Sequence, residues 1–347
     1  MSEGIPESRP TKEGNRGDSD QVKTPVRWGI VGCGNVTEVK SGPALQMAEG
    51  SELVAVMRRD AALAADYARR HEVPHWYTDA DALIEDPRVN AVYVATPPSS
   101  HKEYTMKAAK AGKPVYVEKP MAVTPDAARE MVEFCEHHGV PLFVAYYRRA
   151  LPRFLHVKEL LDSGRIGTPR AVTTQLWQPP RPAGSDGWRV DPEVAGGGYF
   201  MDLASHTLDF LDYLLGPVAE VAGHAHNQTG LYSAEDVTSA SFRYASGVLG
   251  SGVWSFAAGT RRDVTELVGS AGSIRFSSFT TEPIELETEE GVEQFAFENP
   301  THIQQPLIQT IVDELRGLGA GPSTGRSALR TSQVLDAVLK AYYHRGA

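Results

Sequence analysis

Short apolar runs alternate with segments of helical periodicity over the first half of the chain. The apolar runs are too short for helices, and they indicate buried strands at 26–31, 53–56, 91–95, 115–117 and 142–145. Helices are predicted between them, one after the first run with an interruption near Gly42-Pro43, and four over 61–70, 80–84, 101–111 and 126–138. The last four follow Asp60, Asp79, Ser99 or Ser100, and Thr124-Pro125, which are residues typical of helix starts. This alternation predicts a doubly wound parallel sheet, covered by helices on both faces.

The pattern changes after about residue 149. A helix over 152–162, a strand over 171–176, a Pro/Gly-rich loop over 178–193 and a helix after Gly198 precede a region of strands. There, 237–244 and 248–256 are expected to form a hairpin, and 262–268 is expected to pair with 273–276. Helices over 306–318 and 326–344 end the chain. These elements predict an α+β domain with a mostly antiparallel open sheet, so we divide the chain into residues 25–147 and 148–347.

Composition narrows the class of protein. The 347 residues include 34 Lys and Arg against 44 Asp and Glu, which gives a net charge of −10 that disfavours nucleic-acid and anionic-membrane partners. Two cysteines cannot form a disulfide framework, and no apolar stretch is long enough to cross a bilayer. Residues 1–24 are polar, lack the apolar segment of a signal peptide and are interpreted as a disordered extension. We therefore expect a cytoplasmic protein.

A glycine-rich turn follows the first predicted strand. Gly32-Cys33-Gly34-Asn35-Val36 matches the start of a dinucleotide-binding motif, in which glycines let the backbone approach a pyrophosphate at a helix N-terminus. Thr37 stands where the third glycine usually lies. A purely structural turn is the alternative, but the flanking strand and helix favour nucleotide binding.

The second predicted strand ends without the carboxylate that commonly binds the adenosine ribose. Met57-Arg58-Arg59 stands there instead, and two guanidinium groups can bind a ribose 2′-phosphate. We therefore expect NADP to be preferred over NAD. The alternative is that both arginines are only solvated residues before the next helix.

Polar residues also follow the later strands. Thr96-Pro97-Pro98 with His101, and Glu118-Lys119-Pro120, lie where strands of a doubly wound sheet bind ligands. Three glycines at 196–198 precede a helix on which a spacing of four places Asp202 and His206 on one face, with Asp209 a turn further. On spacing alone, a surface ion pair is an equally good interpretation of Asp202 and His206.

Together these motifs resemble the Gfo/Idh/MocA oxidoreductase family, relatives of glucose–fructose oxidoreductase and inositol dehydrogenase. The resemblance extends over about residues 26–345 and includes Trp188-Arg189-Val190-Asp191-Pro192. It implies a Rossmann domain, an open-sheet domain and NAD(P)-dependent hydride transfer at a hydroxyl or lactol carbon of a sugar, cyclitol or related diol. It also implies that Lys119, Asp202 and His206 are catalytic, with His206 as general base, Asp202 orienting it and Lys119 binding the reacting oxygen.

The motifs and the resemblance together give the expected binding residues. Those expected at the cofactor are Gly32, Gly34, Asn35, Val36, Arg58, Arg59, Thr96, Pro97, His101, Glu118 and Lys119. Those expected at the substrate are Tyr147, Arg148, Trp177, Trp188 and His206. Many relatives have Phe-Asn-Arg-Arg-Phe where this chain has Tyr146-Tyr147-Arg148-Arg149-Ala150, which leaves the substrate open between a sugar, a cyclitol and an aromatic diol.

Two other functions stay open at this point. One is a sugar-sensing regulator that binds cofactor without turnover, although such a protein would be expected to lose the three catalytic groups. The other is an enzyme that retains NAD as a transient redox centre.

No metal site is expected, because His137-His138 and His224-x-His226 lack a third ligand in register. An open sheet face would expose apolar residues such as Val248, Val253 and Phe256, so we expect a homodimer or homotetramer.

Overall fold

The computed structural model describes residues 24–182, 184 and 187–343. The predicted extension, apart from residue 24, lies outside the described residues. The described chain forms two sheets, one of six strands and one of eight.

The first sheet is parallel, as the alternating pattern predicts. Its strands lie in the order β3-β2-β1-β4-β5-β6. Their bounds are β1 (Val26–Val31), β2 (Ser51–Met57), β3 (His75–Tyr77), β4 (Ala91–Val94), β5 (Val115–Val117) and β6 (Leu142–Val144). We did not predict β3, which lies at the sheet edge and forms no continuous apolar run, because Trp76 is exposed and its two neighbours are only partly buried.

Helices connect these strands. They are α1 (Gly42–Met47), α2 (Ala61–Arg70), α3 (Ala80–Glu85), α4 (His101–Lys110) and α5 (Pro125–His137). Asp60, Asp79 and Thr124 each accept a first-turn N–H, as predicted. Ser100 makes no such cap, because its hydroxyl donates to the Thr96 Oγ1 at 2.8 Å and lies 3.0 Å from the Pro97 carbonyl.

The predicted interruption at Gly42 is a change of helix type. A π-helical turn over Thr37–Ser41 passes into α1 at Gly42. A Cβ atom at Gly42 would lie 2.3 Å from both the Thr37 carbonyl oxygen and the Tyr67 hydroxyl, which are themselves hydrogen-bonded at 2.9 Å. Only glycine therefore allows α2 to pack against this turn.

The second half begins with α6 (Pro152–Asp162), β7 (Pro169–Trp177) and α7 (Pro192–Ala195). A π-helical turn over Phe200–Ala204 leads into α8 (Ser205–Leu215), and strands follow. They are β8 (Val218–His226), β9 (Val237–Tyr244), β10 (Leu249–Ser255), β11 (Arg262–Gly269), β12 (Gly272–Phe276), β13 (Ile284–Thr288) and β14 (Gly291–Phe295). The strand order is β14-β13-β12-β11-β7-β10-β9-β8, and β7–β10 is the parallel pair in an otherwise antiparallel ladder. The α+β prediction and both predicted strand pairs are confirmed.

Helices cover one face of this second sheet. Phe210 of α8 and Leu335 of α10 (Gly325–Leu339) belong to its core. The other face of the sheet, which these helices do not cover, is the open face, and only one of the three apolar residues expected there is exposed. Val253 is exposed, but Val248 and Phe256 are buried, because they lie on the other side of the alternating strand.

The last two helices return to the first half of the molecule. Leu307, Ile308 and Ile311 of α9 (Gln305–Leu315) pack in the core around β1 and β5, and Ala328 of α10 packs beside α5. A division between residues 147 and 148 assigns α9 to the second domain, whereas its apolar face is buried against the first. No helix in the described part of the chain has the length and hydrophobicity to span a membrane.

Candidate active site

A cleft of about 1120 Å³ lies between the carboxyl edge of the first sheet and the second domain. Most predicted site residues line it. They are Gly32, Gly34, Asn35, Val36, Arg58, Arg59, Thr96, Pro97, Glu118, Lys119, Tyr147, Trp188, Asp202 and His206. The fold therefore brings residues that are up to 174 positions apart in sequence to one site.

The glycine turn has the form needed for a dinucleotide. Gly32 has a φ of +92°, and a Cβ atom there would lie 2.6 Å from the Thr96 Cγ2 atom. The N–H groups of Gly32 and Cys33 both donate to the Met57 carbonyl at 3.0 Å, which ties the turn to the end of β2. Thr37 stands at the position of the third glycine, and its hydroxyl accepts the Gly34 N–H at 3.1 Å and donates to the Gly34 carbonyl at 2.8 Å. This turn at a helix start fits a bound pyrophosphate.

The end of β2 lies beside that turn. Arg58 contacts the Cys33 carbonyl through Nη1 at 3.4 Å, and Arg59 and Asp60 also line the cleft. One carboxylate oxygen of Asp60 is used to cap α2 through the Leu63 N–H. Burial raises the pKa of the Cys33 thiol to about 11, so Cys33 is a neutral side chain at physiological pH.

His101 does not line the cleft, in contrast to its predicted role at the cofactor. It is fully buried, and its Nε2 and Nδ1 atoms lie 2.7 Å and 3.0 Å from the carbonyl oxygens of Thr96 and Pro120. Burial lowers the pKa of its imidazole. His101, the first residue of α4, thus lies between the loop that contains Thr96 and the loop that contains Pro120. We infer that it positions these two loops, which border the site.

Lys119 and Asp202 form the central ion pair of the cleft. The Lys119 ammonium contacts the Asp202 carboxylate and also donates to the Asp202 carbonyl at 2.8 Å. Arg189 lies 3.6 Å from the second carboxylate oxygen. Burial opposes ionisation of Asp202, but the charges of Lys119 and Arg189 outweigh it and lower the pKa of this carboxyl.

His206 lies in an aromatic and cationic environment. Its ring centroid is 5.0 Å from that of Tyr147 and 6.1 Å from that of Phe279, and its Nδ1 atom is buried without a hydrogen-bond partner among the described residues. Burial, followed by the charges of Arg148, Lys119 and Lys40, holds the pKa of His206 well below its usual range. The imidazole is therefore neutral at physiological pH.

The predicted pairing of Asp202 with His206 is not present. A spacing of four residues places side chains together on a regular α-helix, but Asp202 belongs to the π-helical turn and His206 to α8. The Asp202 carboxylate is directed to Lys119 instead. Asp209, one turn beyond His206, is also directed elsewhere, to the buried guanidinium of Arg149 at 2.7 Å.

Two residues expected at the substrate lie outside the cleft lining. The Arg148 guanidinium is buried behind the site, where it donates twice to the Ser278 carbonyl at 2.9 Å and 2.7 Å and lies over the Phe279 ring at 4.5 Å. Trp177 lies at the end of β7 with the Arg262 guanidinium over its ring at 5.5 Å. Tyr147 and Trp188 remain as aromatic walls.

Sequence reasoning missed several residues of the lining, and four of them bear on the chemistry of the site. They are Lys40, Arg189, Phe279 and Gln304. Arg189 lies within a motif already noted, and Lys40 lies in the π-helical turn that directly follows the glycine turn, so both had a local signal. Phe279 and Gln304 come from segments with no chemical motif, and only the tertiary fold places them here. No group of three potential metal ligands occurs among the described residues.

Comparisons with known proteins agree with this geometry. Residues 26–146 match a family described as "Oxidoreductase family, NAD-binding Rossmann fold", and residues 154–275 match the GFO/IDH/MocA C-terminal domain. The chain is 40% identical to "Oxidoreductase P35" of Formosa agariphila over 91% of this chain and 98% of that protein. The chain belongs to the Gfo/Idh/MocA family. It is an NAD(P)-dependent oxidoreductase, as the motifs predicted.

Two further relatives extend this result. The 1,5-anhydro-D-fructose reductase of Ensifer adhaerens is 30% identical over 91% of this chain and 96% of that enzyme. A solved levoglucosan dehydrogenase in complex with NADH has the same fold, with a TM-score of 0.84 at 21% identity over 92% of this chain and 97% of that one. The fold class is thereby confirmed.

Proposed function

We propose that this protein transfers hydride between NADP and a secondary hydroxyl or lactol carbon of a sugar or cyclitol. The observation that carries the proposal is that Lys119 and His206 face the same cleft as the glycine turn. Relatives named as a 1,5-anhydro-D-fructose reductase and a scyllo-inositol 2-dehydrogenase support a cyclic polyol as the substrate class.

Gly32, Gly34 and Arg58 would hold the cofactor, and the nicotinamide supplies the hydride acceptor or donor when bound. In the oxidative direction, the neutral imidazole of His206 accepts the hydroxyl proton. In the reductive direction it returns that proton. Its burial keeps it in the form that can act as a base over the physiological pH range.

Lys119 has a different task. An ammonium group has three N–H donors, and two of them are directed to the carbonyl and the carboxylate of Asp202. The third can bind the reacting oxygen and stabilise the negative charge that develops on it. Asp202 therefore acts by fixing Lys119, which replaces its predicted role of orienting His206.

The walls of the cleft favour a ring-shaped substrate. Tyr147, Trp188 and Phe279 present aromatic surfaces beside His206. Apolar faces of sugar or cyclitol rings pack against such surfaces, while their hydroxyls need polar partners at the edge. This combination distinguishes the site from one built for a short open-chain alcohol.

NADP is the proposed preferred cofactor because of Arg58 and Arg59. Both line the cleft beside the glycine turn, where a guanidinium group can bind a 2′-phosphate.

We also propose that the protein forms a homodimer or homotetramer through the open face of its second sheet.

The experiment is a panel of cyclitols, aldoses, anhydrosugars and aromatic diols, followed by the absorbance of NADPH or NADH. Oxidation of at least one cyclic polyol, faster with NADP than with NAD, is expected. Cofactor binding without turnover of any compound would instead favour a ligand-sensing protein. Turnover of two sugars without added nucleotide would favour a retained cofactor.

A further inference from the structure

A buried polar network underlies the cleft next to Lys119. At its centre is the Glu118 carboxylate, which is 8% exposed. Its Oε1 atom accepts the Tyr93 hydroxyl at 2.6 Å and the Gln304 Nε2 at 2.7 Å, and its Oε2 atom accepts the Lys119 N–H at 3.2 Å. Three donors thus fix a carboxylate that directly precedes Lys119.

Gln304 joins this network from a distant part of the chain, 186 residues after Glu118. Its side chain is 1% exposed, and its Oε1 atom accepts the Tyr116 hydroxyl at 2.7 Å. The amide NH2 group donates to the Glu118 carboxylate, and the amide oxygen accepts from the Tyr116 hydroxyl. Both polar atoms of Gln304 are therefore used inside the protein.

The start of α9 fixes the position of Gln304. Its backbone N–H donates to the Lys40 carbonyl at 3.2 Å, and His302 Nδ1 lies 2.6 Å from the Val39 carbonyl. These contacts join the segment before α9 to the π-helical turn that follows the glycine motif. Gln304 lies outside both stretches that match the family descriptions, which end at residues 146 and 275.

We propose that Gln304 is a positioning residue of the active site. It holds the Glu118 carboxylate in one place and thereby holds the backbone that presents the Lys119 ammonium to Asp202. Without the amide, a buried carboxylate would lose one of its three donors, and such a partly satisfied network costs more than an apolar one. This inference rests on the proposed function, in which Lys119 binds the reacting oxygen.

The first test is Gln304→Leu, which removes both hydrogen bonds at similar size. Because the change acts on the geometry of Lys119, turnover should fall at least tenfold, while the KM for the polyol changes less. Gln309→Leu is the matched control, since Gln309 lies on the same helix and contacts the Glu49 N–H at 2.7 Å, away from the cleft. It should keep wild-type turnover. Equal turnover in both variants would overturn the proposal.

The second test is Gln304→Glu, which keeps the shape of the side chain but places two carboxyl groups in contact. Such a pair shares a proton whose pKa is raised. Below that pKa the shared proton restores the hydrogen bond to Glu118, and above it the two carboxylates repel. Turnover should therefore fall with rising pH in a limb that wild type and Gln309→Glu lack. Coincident pH profiles of the three proteins would contradict the proposed role. This variant also covers the case in which Gln304→Leu does not fold.

A third readout needs no substrate. NADP binding, followed by quenching of tryptophan fluorescence, should be weaker in Gln304→Leu than in wild type, because Glu118 and Lys119 line the cofactor cleft and this variant loosens them without adding charge. Gln309→Leu should bind NADP like wild type, and so should Gln304→Leu if Gln304 has no positioning role. If no polyol is oxidised by wild type, the proposed function fails, yet this binding test still decides the role of Gln304.

Discussion

At the scale of single residues, the site is governed by how its few charges are paired. The Lys119 ammonium is paired with the Asp202 carboxylate, whereas His206 has three cationic neighbours and, among the described residues, no carboxylate partner. The surroundings of His206 therefore favour its neutral imidazole. This division suits a reaction in which a proton and a developing negative charge have to be handled by different groups.

The low pKa of His206 determines the expected pH profile. Its neutral form, which is the base, is present above that pKa, so the rate of oxidation should rise with pH only below about 6.5 and be level near neutrality. His206→Ala should lower turnover about 10²- to 10⁴-fold and remove this acidic limb, while nucleotide affinity changes only a few-fold. Initial rates between pH 5 and 9 provide the measurement. An unchanged rate and profile in His206→Ala would exclude it as the base.

The Lys119–Asp202 pair predicts a particular pattern of coupling. Lys119→Ala should lower turnover and also weaken binding at the nicotinamide end, and Asp202→Asn should be less harmful than His206→Ala. Because Asp202 acts through Lys119, the double variant Lys119→Ala/Asp202→Asn should be little worse than Lys119→Ala alone. The pair Asp202→Asn/His206→Ala should be closer to additive. Coupling energies are obtained from kcat/KM of the single and double variants. Stronger coupling of Asp202 to His206 than to Lys119 would instead support a direct partnership of Asp202 with His206.

Cofactor preference is predicted to depend on Arg58. Arg58→Asp replaces an attraction for the 2′-phosphate with repulsion, so it should narrow or reverse the preference for NADP. Titration of wild type and variant with both nucleotides measures this. Lys110→Asp, at the end of α4 and outside the cleft lining, controls for the change in net charge. Tighter binding of NAD than of NADP by wild type would rule out the proposed role of Arg58 in binding the 2′-phosphate.

Residue identity was easier to predict from sequence than residue contacts. Lys119 and His206 were found because short motifs place them at the carboxyl edge of a sheet or on a helix after glycines. The partner of Lys119 lies 83 positions away, and only the fold decides that Asp202 turns to it. His101 has a suitable motif position, but the sequence does not reveal that both ring nitrogens are already engaged.

At the scale of elements, an ion cluster joins the start of the second domain to α8 and α10. Arg149 binds Asp209 through two nitrogens at 2.7 Å and 2.8 Å, and its Nη2 also contacts Asp212 at 3.1 Å. Arg330 of α10 binds Asp212 from the other side at 2.7 Å. Because His206 is the second residue of α8, this cluster also sets the position of the proposed base.

Breaking this cluster should be costly. Asp209→Ala leaves the buried Arg149 without its main partner, so the free energy of unfolding should fall by about 3–5 kcal/mol. Asp162→Ala is the control, because it breaks an exposed pair with Lys158 that has the same 2.7 Å distance and should change stability by less than about 1 kcal/mol. Chemical denaturation of both variants measures the difference. Similar losses would show that burial of the ion pair is not what matters.

Elements with long periodic patterns were predicted well, and short or irregular ones were not. The bounds of α2 follow from its Asp60 cap and those of α6 from Pro152 at its first position, in both cases together with apolar spacing. By contrast, β3 has only three residues and β14 has an almost fully exposed pattern. The π-helical turns have no sequence signal of their own. They result from packing, as the contact of Tyr67 with Thr37 at Gly42 illustrates.

At the scale of the whole molecule, the second sheet leaves one large face open. Across the neighbouring strands β10, β7 and β11, one row on this face consists of Leu249, Ala171 and Val268. A second row, four residues away on each strand, consists of Val253, Gln175 and Val264. Leu249 and Val268 are 58% and 38% exposed. The row between these two rows consists of Ser251, Thr173 and Glu266 and is polar, so the apolar side chains form separate patches on this face. Exposed apolar side chains on an open sheet face commonly mark a surface that a second subunit covers.

The open face therefore predicts the assembly state. Light scattering at micromolar concentration should report a dimer or tetramer for wild type. Leu249→Glu/Val268→Glu places two charges in the first apolar row and should shift the protein towards monomer, while the fold persists because both side chains point to solvent in a single chain. Met47→Glu is the control, because Met47 on α1 is 57% exposed but lies in the first domain. A monomeric wild type, or dissociation of Met47→Glu as readily as the sheet variant, would contradict assembly through this face.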